Sequence, residues 1–232
     1  MTRAECDECG LRGVCVPGRL AGVVGRRSNN MRIRRMRLAR GKTLFRSGEN
    51  LESLHIVRSG CIKEIDDSSC RYNAMINFAL PGEMLGLQGL GNGRYGTTGI
   101  AVDPSFICVI PRAAFSQWCA DSPRVATEFI RLVAKAGSAA RELLALIRDK
   151  EALARVSGFL LNVSGRLQHR GVRGRDFRLG MTRDDIASYL GMRSETVSRC
   201  FTELARRRLI RVSAKRVQIL RGTELLDVFQ GV

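Results

Sequence analysis

The sequence predicts an α+β chain: short antiparallel strands, then one long helix, then a helix-turn-helix with a small β wing. Three observations carry that expectation. Between Leu38 and Trp118, short apolar runs are punctuated by Gly, Pro and Ser turns. From Pro123, apolar residues recur at three- and four-residue steps. From Thr182, two short amphipathic stretches flank a single glycine.

In the strand region Leu54-His55-Ile56-Val57 precedes Ser59-Gly60, Met75-Ile76-Asn77-Phe78 ends at Pro81-Gly82, and Phe106-Ile107-Cys108-Val109-Ile110 stops at Pro111. Strands of this length and spacing fit a compact roll, sandwich or barrel. The long helix then aligns Phe129, Leu132, Val133, Ala136, Ala140, Leu143, Leu144 and Ile147 on one stripe. Gly137 inside it weakens the helix by roughly 1 kcal/mol relative to Ala but lets another backbone come close.

The chain has 232 residues, 44% hydrophobic and 26% charged, which suits an ordinary globular protein of one large or two small domains. Lys and Arg number 39 against 22 Asp and Glu, a net charge of +17. Such an excess repels itself and finds its outlet in a polyanion, either nucleic acid or an anionic membrane face. Nine basic residues and no acid lie between Arg26 and Arg46, where a solvated basic edge is the first reading and contact with an anion the second. No apolar run approaches the roughly 20 residues of a membrane span. The N-terminus MTRAECDECG lacks a secretory apolar core, so the expected compartment is the cytoplasm and the eight Cys are expected as thiols or metal ligands.

Thr182 is the expected N-cap of the first helix of the pair, with Asp185 three residues on as a near-match to a capping box. Ile186 and Leu190 face inward, Gly191 supplies the turn, and a second helix from about Ser194 buries Val197, Phe201 and Leu204. Glu195, Ser198 and Arg199 lie on another face near that helix's N-terminus, the end that enters the major groove in helix-turn-helix proteins. A Glu accepts from cytosine, an Arg donates two bonds to guanine, and a Ser reaches base edge or phosphate. The following hairpin carries Lys215 and Arg216 as phosphate-seeking cations. Because a DNA binder gains from two-fold symmetry, the stripe of Leu132, Val133, Ala136, Ala140, Leu143, Leu144 and Ile147 is read as a dimer seam rather than a core helix.

At the other end, Cys6, Cys9 and Cys15 form a C-x2-C-x5-C run in a stretch with no pattern for independent folding, and Gly10 and Gly13 are read as letting the backbone wrap a metal centre. Three thiolates complete neither a closed zinc site nor a four-Cys cluster, so a fourth ligand is expected from elsewhere. Cys61, Cys70, Cys108 and Cys119 are available. On spacing alone zinc, an iron–sulfur cluster and plain thiols all stand.

The C-x2-C-x5-C run followed by Val16-Pro17, the strand region, the long helix and the E-x-x-S-R reader Glu195-Thr196-Val197-Ser198-Arg199 together resemble the FNR branch of the CRP/FNR transcription regulators, over essentially the whole chain. The resemblance implies a β-roll of the cyclic-nucleotide-binding kind, a long dimerisation helix and a winged helix-turn-helix. It implies an oxygen-responsive regulator that holds a [4Fe–4S] cluster, binds TTGAT-type palindromes in double-stranded DNA as a homodimer, and contacts RNA polymerase. In that family oxygen converts the cube to a smaller cluster and the dimer weakens. The family's fourth ligand sits just before an Ile-Pro step, the position of Cys108; Cys61, Cys70, Cys119 and Cys200 match no ligand position. The implied division is a cysteine-rich segment 1–25, a sensory roll 26–122, a dimerisation helix 123–150 and a DNA-binding domain 151–232.

The related CRP type binds cyclic AMP through a Gly-Glu pair and a later Arg-Ser pair. Here Gly82-Glu83 is present, but the later segment reads Arg94-Tyr95-Gly96-Thr97, so no cyclic nucleotide is expected. The Gly89-Leu90-Gly91-Asn92-Gly93 stretch lacks the strand-to-helix context of a phosphate loop and reads as a turn. No acid lies between Glu128 and Glu142, so no carboxylates meet across the two-fold axis along that part of the seam and the chain is expected to remain largely dimeric in air. Two other functions compete: a CRP-like regulator whose cysteines bind zinc or act as thiol sensors, and an iron–sulfur electron carrier. With His55 and His169 the only histidines, no nucleophile–base pair is readable, so no enzyme is expected.

Overall fold

The computed structural model describes residues 2–3, 6, 9–20, 33–67, 74–168 and 174–231. The chain divides into two compact units, Met1–Ala136 and Gly137–Val232. The division falls inside the long helix.

The first unit begins with β1 (Thr2–Arg3) and a short helix α1 (Val16–Leu20). Strands β2 (Arg34–Leu38), β3 (Thr43–Phe45), β4 (Ser53–Ser59), β5 (Ile62–Asp66), β6 (Ala74–Ala79), β7 (Met84–Leu85), β8 (Thr98–Ala101) and β9 (Ser105–Pro111) follow. They pair antiparallel into two sheets, one in the order β1-β2-β9-β4-β7 and the other β3-β8-β5-β6. Ile107, Val57 and Leu38 from the first sheet and Ile62, Ala101 and Phe45 from the second join one apolar core, which closes the roll. Burying each of the larger of these side chains stabilises by roughly 1.5–3 kcal/mol.

Strand β9 organises the first sheet because β2 and β4 both pair with it. Ser105, Ile107 and Ile110 are buried along it, while Phe106 is exposed and Cys108 and Val109 are half-buried. Pro111 ends the strand, and its φ of −55° starts α2 (Arg112–Asp121), a helix without a side-chain cap. Helix α3 (Pro123–Asp149) opens on Pro123, where a missing N–H costs nothing. Along it Ile130 (67%), Val133 (46%) and Leu144 (61%) are exposed, large apolar side chains turned to solvent.

The second unit contains α4 (Ala152–Gln168), β10 (Asp176–Arg178), α5 (Arg183–Leu190), α6 (Ser194–Arg206), β11 (Ile210–Ser213), β12 (Arg216–Ile219) and α7 (Gly222–Gln230). Val156, Phe159, Leu160 and Val163 of α4 are buried, as are Ile186 and Leu190 of α5 and Val197, Phe201 and Leu204 of α6. The wing is a three-stranded sheet in the order β10-β12-β11, one strand more than the hairpin expected from the sequence. Among the described residues no helix is long and apolar enough to cross a membrane.

Candidate cofactor site and nucleic-acid interface

From Cys9 to α1 the chain winds through successive turns. The Arg12 N–H donates to the Cys9 carbonyl (2.8 Å), Cys15 N–H to Leu11 (2.9 Å) and Arg19 N–H to Cys15 (2.9 Å). The segment is held from outside, as its lack of a core pattern requires. Cys6, Leu11 and Cys15 pack into the roll's apolar core, while Val16 packs with Val125 of α3. Arg19 Nη2 lies 2.9 Å from Glu128 Oε2, so an ion pair also ties α1 to α3.

The backbone freedom this winding needs is not where the sequence suggested. Gly10 and Gly13 have open space around them and no positive φ, so neither is required for the wrap. Gly18 is required: a Cβ there would lie 2.6 Å from both the Cα and the carbonyl oxygen of Arg12. Gly18 also donates its N–H to the Cys15 thiol.

Cys6, Cys9, Cys15 and Cys108 line one pocket, walled by Leu11, Ile33 and Ile56. Cys108 arrives from β9, flanked in register by Arg35 of β2 and Ile56 of β4. No carboxylate or imidazole is among the lining residues. Burial pushes the Cys15 thiol up to about 11, and the neighbouring Cys6, Cys9 and Cys108 add to the rise. Burial likewise raises Cys108 to about 11, with Cys6 and Cys9 adding and Arg35 and Arg58 opposing. The raised Cys15 and Cys108 thiols ionise here only against compensating positive charge, which a metal centre would supply beside the two arginines of the lining. Among the described residues no three Cys, His, Asp or Glu converge on a single ion. The four thiols line the pocket together, an all-sulfur donor set that suits an iron–sulfur group or a four-thiolate zinc.

The other cysteines lie elsewhere: Cys61 and Cys200 are buried and Cys119 is half-buried in apolar surroundings. Cys70 and His169 lie outside the described residues. His55 is 5% exposed and stacks on Phe45, with ring centroids 5.4 Å apart, so it is a packed residue.

In the roll, the Glu83 carboxylate accepts from the Leu80 N–H (2.8 Å), and exposed Arg94 donates to the Gly48 carbonyl (2.7 Å). Beside Thr97 a buried carboxylate, Glu64, accepts from Thr97 Oγ1 (2.8 Å), Gln88 Nε2 (3.0 Å) and Asn77 Nδ2 (2.7 Å).

The reading head is built by its caps. Thr182 Oγ1 accepts from the Asp185 N–H while Asp185 accepts from the Thr182 N–H, a complete capping box. Gly191, at φ 63°, turns the chain in the left-handed region, and α6 starts three residues later. The Arg183 guanidinium sits 3.4 Å from the Phe201 ring centroid and joins α5 to α6. With Val197, Cys200, Phe201 and Leu204 inside, Glu195, Ser198 and Arg199 are exposed together near the N-terminus of α6. Farther along, Arg206 and Arg207 hold the half-buried Glu203 carboxyl down to about 2. The wing cations are less free than their sequence suggested. Arg216 grips Asp176 of β10 through two bonds (2.6 and 2.8 Å), and Lys215 Nζ donates to the Gly180 carbonyl (3.2 Å).

Of the seam residues, Val133, Leu144, Ala136 and Ala140 are exposed and Leu132 and Leu143 half-buried; the Ile147 side chain lies outside the described residues. Ile130, overlooked in the sequence, is the most exposed large apolar residue among the helix's described side chains and stands three residues before Val133.

Comparison with known proteins places these features. The Crp-like helix-turn-helix domain matches residues 154–228 and the cyclic nucleotide-binding domain residues 35–122. The transcriptional activator protein anr of Pseudomonas aeruginosa is 32% identical over 232 residues, covering 100% of this chain and 95% of that one. The chain is an FNR-type member of the CRP/FNR family. Within that family, the fumarate and nitrate reduction regulatory protein of Escherichia coli K12 is 29% identical over 93% of this chain and 86% of its own length. FixK2 of Bradyrhizobium japonicum shares the fold, with a TM-score of 0.75 and 22% identity over 84% of this chain and 96% of its own. CRP/FNR membership makes the chain a DNA-binding transcription regulator rather than an enzyme.

Proposed function

We propose that this CRP/FNR regulator is redox- and oxygen-responsive: a cytoplasmic homodimer that grips TTGAT-type palindromes while a [4Fe–4S] cluster is held by Cys6, Cys9, Cys15 and Cys108. One observation carries the reading: the three N-terminal thiols and the distant Cys108 line the same pocket. The bound cluster supplies an oxygen-labile junction between the N-terminal segment and the roll. The chain's own residues do the rest. Cys108 anchors the junction to the central strand, and Val16 and Arg19 carry the order of the segment to Val125 and Glu128 on α3. The exposed stripe of Ile130, Val133, Ala140 and Leu144 pairs with a second copy, which sets two recognition helices one DNA turn apart. Glu195, Ser198 and Arg199 read base edges; Lys215 and Arg216 meet phosphate; RNA polymerase is the downstream partner. Cyclic nucleotide has no part, a reading supported by the outward bond of Arg94. Coupling of about 1–3 kcal/mol suffices to change DNA affinity roughly 5–150-fold.

The test is purification under argon. The protein should be coloured, contain iron and sulfide in equal amounts, and bind its palindrome as a dimer; air should remove both colour and affinity, and Cys108→Ser should never acquire the colour. Colourless, metal-free protein that binds the palindrome at full strength would refute the reading.

A further inference from the structure

The cysteine pocket has a feature its ligands do not explain. Two arginines, Arg35 and Arg58, line it beside the four thiols. They come from the two strands that flank Cys108: Arg35 is the direct cross-strand partner of Cys108 on β2, and Arg58 lies on β4 two residues beyond Ile56, its partner on the other side. Both side chains are half-buried, with the rest of the wall apolar. Cations so placed act through a medium that screens them less than water does.

We infer that Arg35 and Arg58 form a cationic wall that stabilises the bound cluster in its reduced state and sets how fast oxygen destroys it. The inference rests on reading Cys6, Cys9, Cys15 and Cys108 as cluster ligands. Four thiolates outweigh the charge of a four-iron, four-sulfide core, so the assembly is a net anion. Dioxygen is the oxidant: it takes one electron, and the assembly becomes one unit less negative. A guanidinium beside it favours the more negative form, so the wall opposes loss of that electron. Arginines here are positioning residues for the cluster's charge and ligate nothing.

The experiment compares unaltered protein, Arg35→Gln, Arg35→Lys and Arg58→Gln, each reconstituted under argon. Iron, sulfide and visible absorbance are measured, followed by the rate of bleaching at fixed dissolved oxygen and low salt. Arg35→Gln and Arg58→Gln should load as the unaltered protein does and bleach faster, by on the order of tenfold for Arg35→Gln, the factor that about 1.4 kcal/mol makes. Arg35→Lys, which keeps the charge, should restore the slower rate. Equal bleaching rates in all four proteins would overturn the inference and leave the cluster reading intact. So would an Arg35→Gln that fails to load while Arg58→Gln loads and bleaches normally, because Arg35 would then be structural. An unaltered protein that takes up no iron and sulfide would overturn both.

Discussion

Replacing Gly18 with Ala tests how the cysteine segment is held. The added Cβ would lie 2.6 Å from the Arg12 Cα and 2.6 Å from its carbonyl oxygen. That is about 1 Å inside the ~3.5 Å at which carbon atoms meet comfortably. Both obstacles are backbone, so no rotamer change relieves them; α1 and the Cys9–Cys15 turn must part. Overpacking of this kind costs about 1–3 kcal/mol. The Gly18 N–H also donates to the Cys15 thiol, so the shift withdraws a donor from a proposed ligand. Metal retention should therefore fall roughly 5–150-fold, by the same conversion of energy to equilibrium. The assay is iron and sulfide content after anaerobic reconstitution at limiting iron, then the rate of iron loss to a chelator. Gly10→Ala and Gly13→Ala are the controls and should behave as the unaltered protein, since nothing lies within 4 Å of either added methyl. If Gly18→Ala holds iron as well as they do, the winding of the segment against α1 does not position its cysteines.

Other expectations follow from single contacts. Arg199→Ala should cost about 1–3 kcal/mol at one guanine and relax discrimination there, whereas Arg216→Ala should weaken all sequences alike and lower the salt slope by about one; identical behaviour of the two on random DNA would misplace the recognition helix. Burial lowers His55 from 6.5 to about 4, so the folded state refuses a proton that the unfolded chain accepts. Stability from this group is whole above pH 6.5 and is lost as pH falls toward 4, by roughly 3 kcal/mol in full. His55→Phe should flatten urea-unfolding stability across that window, and an unchanged slope would assign the loss elsewhere. Finally, Glu128 is already engaged by Arg19 and Arg131, and α3 has no further acid before Glu142. Sedimentation of air-exposed protein should show mainly dimer; mainly monomer would contradict the reading of the seam.

The parts legible in the sequence were those whose signals are local. Thr182 and Asp185 form their box within one turn, and the inward and outward faces of α6 follow from periodicity alone. Cys108 was reached only through resemblance, because its partnership with Cys6, Cys9 and Cys15 exists only once β9 lies against the N-terminal segment. The same distance hid Arg216, whose partner Asp176 stands on another strand. Helix α2 left no trace since it has no side-chain cap and buries only Phe115. Strand β10 is three residues long and is defined by its pairing with β12. Gly10 and Gly13 misled because glycines near cysteines suggest a metal loop, while the close approach that demands a glycine is at Gly18, outside the run.

Helix α1 is only five residues long, yet it bears both Val16 and Arg19, the side chains that meet α3. A lever this small has few adjustable parts. Its hydrophobic tooth and its charged latch carry no sulfur themselves, so on the proposed reading the strength of the response is set by side chains other than those that hold the sensing group.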